Sequence, residues 1–120
     1  MISADTQRTL KQKITAAFLT LRRKGYITRQ AFMCCGTCAS YEIDALWRVK
    51  GIDDDDRKAV YFSRQGELDL LRRGDVYVNW AGNSTEIVAA MIEQGLDVDH
   101  NGKESGAIRV GFFAKNRSAA

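Results

Sequence analysis

The chain has 120 residues, 45% of them apolar, and its 18 basic and 15 acidic side chains leave a formal charge of +3. That is enough chain for one domain with a core that needs neither disulfides nor metal, and the composition excludes a disordered segment. No run approaches the ~18 apolar residues of a membrane span. Met1 to Thr6 lacks the basic and apolar regions of an export signal, so the expected location is the cytoplasm. Three cysteines, an odd number, fit poorly with a secreted disulfide framework.

Leu10, Ile14, Ala17, Phe18 and Leu21 recur at helical spacing and predict a first helix from about Ala4 to Lys24, capped by Ser3 or Asp5. Gly25 ends it, and Ile27 is placed to fold back on the last turn. Up to Cys35 the basic residues Arg8, Lys11, Lys13, Arg22, Arg23, Lys24 and Arg29 face only Asp5. Arg8, Lys11, Arg22, Arg23 and Lys24 therefore form a basic surface on this helix. A solvated face is its simplest meaning, and nucleic-acid contact is the sharper one, though no aromatics are interleaved.

Phe32 to Cys38 holds every cysteine and falls at a break between two helical patterns. A second helix is expected from Ala39 to Lys50, with Ile43, Leu46, Trp47 and Lys50 at spacings of three and four and Gly51 as its stop. Asp53 to Asp56 lacks the alternate ligands and central glycine of a calcium loop and reads as solvated loop.

Ala59 to Ser63 reads as a strand, and Glu67 to Arg73 as a short helix packing Leu68 and Leu71. Asp75 to Trp80 alternates as a half-buried strand, with Val76, Val78 and Trp80 on one face. Asn83 with Glu86 forms a capping box for a further helix that buries Ile87, Val88, Met91 and Ile92. Leu96 to His100 and Ala107 to Phe113 flank the turn signal Asn101-Gly102, and Lys115 to Ala120 reads as a frayed tail. The order of elements predicts one α+β domain, a small and mainly antiparallel sheet of about four strands covered by helices on one face.

Phe32, Cys34, Cys35 and Cys38 match a Phe-x-Cys-Cys-x-x-Cys signature. With it, the chain resembles a family of small bacterial domains of unknown function. A second family segment, Tyr-Phe-His-x-Gln-Asp, is similar to Tyr61 to Gly66, with Ser63 and Gly66 in place of the His and Asp. A third, Gly-Leu-x-Val-x-Trp-x-Gly, is similar to Gly95 to Gly102, with His100 where Trp is usual. The resemblance spans roughly Cys34 to Val110. It supports the single-domain expectation and implies no activity.

The cysteines allow three readings. Cys35-Gly36-Thr37-Cys38 before a helix looks like a thioredoxin-type pair, but a helix precedes it and the chain has no proline, which leaves only a simpler Cys35–Cys38 or Cys34–Cys38 disulfide. Zinc wants four ligands, and Cys34, Cys35 and Cys38 with His100, or with Asp99, would compose a site if that strand end met the cysteine turn. The third reading makes the cysteines small core residues that let Phe32 and Trp47 pack closely.

His100 beside Asp99 is a weak candidate base, since neighbours on a strand point to opposite faces. Gly82-Asn83-Ser84 is better explained by capping than by anion binding. No complete catalytic or cofactor constellation survives, and no cofactor other than zinc is suggested. The expectation is a non-enzymatic protein-binding module; small domains of this sort occur in bacterial accessory, phage and defence-related proteins, and nothing in these residues selects among those roles. A thiol site for zinc or redox chemistry is the alternative, and weak nucleic-acid binding through the first helix comes third.

Overall fold

The computed structural model describes residues 1–100 and 106–113, so the Asn101-Gly102 turn and the Lys115 to Ala120 tail lie outside the described residues. Ser3 caps α1 (Ala4–Arg23) by accepting from the Thr6 N–H, and the predicted stripe of Leu10, Ile14, Ala17, Phe18 and Leu21 is buried. The helix stops in a Schellman arrangement: the Gly25 N–H donates to Arg22 O and the Tyr26 N–H to Leu21 O. The residue that folds back is therefore Tyr26, not Ile27. Its hydroxyl reaches the chain at 83–86, within hydrogen-bond distance of Glu86 Oε1 (3.0 Å) and accepting from the Asn83 N–H (3.1 Å). Burial pushes that phenol up to about 12, against the Asn83 backbone contact and with help from Glu86.

Ile27 instead opens a strand that the residue pattern does not announce, β1 (Ile27–Arg29). The chain continues through α2 (Gly36–Lys50), an exposed 3₁₀ turn at Asp54–Asp56, β2 (Ala59–Tyr61), α3 (Arg64–Arg73), β3 (Asp75–Ala81), α4 (Ser84–Glu93), β4 (Asp97–Asp99) and β5 (Ile108–Gly111). The five strands lie in the order β1-β2-β3-β5-β4. β1 runs parallel to β2 and the other neighbours are antiparallel, so the sheet is mixed and has one strand more than expected.

Strand alternation divides the core in two. Val60, Val76, Val78, Ile108 and Val110 share one face and pack with the buried residues of α1, Leu70 of α3, and Ile87, Ala90 and Met91 of α4. Ile27, Ala59 and Tyr61 point the other way and pack with Ala39 and Ile43 of α2, flanked by Phe32, Met33, Leu46 and Trp47. Three helices thus cover one face as expected, while α2 covers the β1–β2 end of the opposite face. The Ser40 and Tyr61 hydroxyls, 2.9 Å apart, and the Arg57 guanidinium, 3.3 Å from Asp44 and 5.5 Å over the Trp47 ring, hold α2 there. Each fully buried aliphatic side chain contributes roughly 1.5–3 kcal/mol.

Two helix faces turn differently from the periodicity. α3 begins at Arg64 behind a Ser63 cap and buries Leu70, leaving Leu68 exposed. α4 buries Ala90 and leaves Ile92 exposed, because only the side toward α1 and the sheet is closed. Beyond α2, the second sheet face carries Tyr77, Asn79 and Arg109, and the Arg109 Nε donates to the buried Asp75 carboxylate at 3.0 Å. Asp75 lies opposite Gly111, whose φ is 155°; a Cβ there would sit 2.1 Å from Gly74 O. Gly25, with φ 95°, has nothing within 4 Å of the same position.

Gly111→Ala is accordingly expected to destabilise by about 3 kcal/mol or more, since backbone must move. Gly25→Ala should lose only ~1–2 kcal/mol, the cost of a left-handed alanine. Urea midpoints of the two variants check the order, and equal losses would refute the role given to the Gly74–Gly111 contact.

Candidate metal or thiol site

Between β1 and α2 the chain passes through two residues with positive φ that are not glycine, Ala31 at 50° and Met33 at 62°. Non-glycine residues hold such angles only where surrounding bonds enforce them. Here the Phe32 N–H donates to Phe62 O, the Arg64 N–H to Met33 O, and the Gln30 Nε2 to Thr15 Oγ1. The loop is pinned to the residue that follows β2, to the start of α3 and to α1 just before the cysteines arrive.

α2 starts at Gly36, three residues earlier than expected, so Cys35 is its N-cap and Cys38 stands in its first turn. Cys34 Sγ lies 3.9 Å from Cys35 Sγ and 3.6 Å from Cys38 Sγ, and all three sulfurs are within 4.8 Å of one another. Cys34 is exposed and the other two are half-buried, with no disulfide among them. The core reading of the cysteines fails: Ala39 and Ile43 supply the buried face of α2, and Cys38, one residue before Ala39, is turned about 100° away from it.

The geometry suits an ion. Tetrahedral zinc with Zn–S bonds of ~2.3 Å places its sulfurs about 3.8 Å apart, close to the two separations above. The three thiols are thus near enough to one another that they could hold a metal ion.

Electrostatics separate Cys35 from Cys38. Cys35 has its thiol pKa lowered, first by the backbone N–H of Cys38, then by the Cys38 and Cys34 side chains. The Cys35 side chain forms no capping hydrogen bond, so the backbone part of that pull acts through the amide dipoles at the helix start. Cys38 goes the other way, pushed up to about 11 by sharing the site with the Cys34 and Cys35 sulfurs. Asn79 of β3 borders the site, its Nδ2 3.6 Å from where a Cβ on Gly36 would be.

His100 is not brought to the thiols. It meets Trp80 edge-on, with ring centroids 5.6 Å apart, and Trp80 packs on the main core, on the sheet face away from α2. Asp99 is likewise outside the group of gathered ligands. Of the basic surface, Arg8 pairs with Asp5, Lys11 with Glu67 and Lys24 with Glu86. Arg22 and Arg23 have no ion pair among the described residues. Among the described residues, no helix is long and apolar enough to cross a membrane. The left-handed Ala31 and Met33, and Asn79, carried no signal in residue type; Ser40 and Tyr61 became partners only through packing.

The thiol order is testable. As pH rises, Cys35 should ionise ahead of Cys38, so brief alkylation near neutral pH should label Cys35 ahead of Cys38. Mass mapping that finds Cys38 labelled first would refute the assignment.

No curated protein and no solved structure matches the chain. A family model does, over residues 3–118, nearly the whole length. The chain belongs to the family described as Domain of unknown function (DUF6891).

Proposed function

We propose that this domain is a thiol-based metal-binding module, with Cys34, Cys35 and Cys38 holding one ion of the zinc class. The observation that carries the reading is the gathering of three sulfurs within 4.8 Å at the start of α2, on a loop pinned by backbone hydrogen bonds. The two hydrophobic clusters are closed without these side chains. The ion is therefore a ligand of a folded domain and not the source of its fold. No general base or nucleophile pair accompanies the thiols among the described residues, which favours binding over catalysis.

A protein-binding surface is the second reading. Tyr41 and Val49, spaced eight apart on the outer side of α2, are 74% and 86% exposed. Large exposed apolar side chains on one helix suit contact with a partner. Nucleic-acid binding is less favoured, because three of the five basic side chains already have acidic neighbours.

Zinc titration of the reduced chain, read by elemental analysis after gel filtration, should give one zinc per chain. Cys35→Ser should lose it, and the far-ultraviolet spectrum should be the same with and without metal. If the reduced chain retains no metal, the reading falls. If mild oxidation instead takes the free-thiol count from three to one, the cysteines serve as a redox pair.

A further inference from the structure

Resting on the metal-binding reading, a narrower question is which ion the three thiols suit best. The thiol and imidazole donors gathered at the site stop at three: every cysteine of the chain is in the group, and its one histidine is held against Trp80 on the other sheet face. Among the described residues no histidine or carboxylate joins the three thiols, so zinc held by them would complete its four ligands with water or an outside donor, and three thiolates would leave one negative charge uncompensated. A structural zinc is also unneeded, since the core is complete without it. A trivalent centre that takes three sulfurs and keeps a lone pair in the fourth direction has neither problem: its charge balances three thiolates and its coordination is full.

We infer that the Cys34–Cys35–Cys38 group is a capture site for a trivalent thiophilic metalloid of the arsenous acid class. Arsenous acid reacts by forming three As–S bonds while three As–O bonds break. Each thiol proton leaves on a departing hydroxyl as water, and arsenic stays trivalent, so no oxidant or reductant is consumed. The site is built for such a step. The sulfurs are separated by 3.6 and 3.9 Å along the two contacts of Cys34, close enough for one central atom to reach all three. Cys34, the exposed member, gives the first point of attack. The bonds from Phe32 to Phe62 and from Arg64 to Met33 hold the loop in place before the ligand arrives.

The test uses the reduced full-length chain with arsenous acid and zinc as separate probes. Arsenous acid should give one arsenic per chain, a mass gain of one arsenic less three hydrogens, loss of all three free thiols, and displacement of zinc from the zinc-loaded chain. Cys34→Ser, Cys35→Ser and Cys38→Ser should each weaken arsenic binding at least ~100-fold, the upper range for losing even a supporting residue of a metal site. Thermal melts check that the serine variants are folded, and the stoichiometry of the unaltered chain stands without them. If zinc binds one per chain but arsenous acid consumes two thiols or none, the inference is overturned and the metal reading survives. Full arsenic affinity in any single serine variant overturns it too. If neither probe binds, both fall.

Discussion

β2 must serve two cores with three residues, and this constraint shapes the domain. Val60 turns toward α1, α3 and α4, while Ala59 and Tyr61 turn toward α2, and all three are buried. Such a strand cannot slip by one place, because a shift would send valine to the small cluster and tyrosine into the large one. Its neighbours are bound by the same rule. β1 pairs through Ile27 with Ala59 and adds to the small cluster, and β3 pairs through Trp80 with Val60 and adds to the large one. The position of α2, and with it the thiols at its start, follows from this partition.

The site draws on both sides of that arrangement. Its loop is tied to the chain that leaves β2, through Phe62 and Arg64, while its helix rests on Ala59 and Tyr61. Ala31 and Met33 hold left-handed backbone that an isolated peptide would avoid. The strain lies immediately before Cys34, where a relaxed loop would let the first thiol swing away from the other two. Crowding the sulfurs has its own cost, visible in the raised pKa of Cys38, and the amide dipoles at the helix start offset it mainly for Cys35.

Much of this was legible in the residues. α1 is long, has a single stripe and carries both a serine cap and a glycine stop, so local and global preferences agree. β1 was not legible, since Ile27-Thr28-Arg29 is too short to alternate and its parallel partner lies 32 positions ahead. In α3 and α4, apolar residues occur on more than one side, and the choice of Leu70 over Leu68 or Ala90 over Ile92 belongs to the packing partner. The cysteine spacing announced a thiol group, but not its exposure, which depends on where α2 begins. His100 looked available as a fourth ligand only while the sheet faces were unknown.

The smaller cluster also gives α2 a degree of independence. Its buried contacts, Ile27, Ala39, Ile43, Ala59 and Tyr61, are few beside those of the main core. With so little burial, α2 is the unit expected to open ahead of α1, α3 and α4 and to exchange its amide protons sooner, while the loop before it stays tied through Phe62 and Arg64. A ligand joining Cys34 in the loop to Cys38 in the helix would staple that unit at its hinge. Occupancy of the thiols would then be written into the local stability of α2 and into how long its exposed outer face, Tyr41 and Val49 included, stays in order.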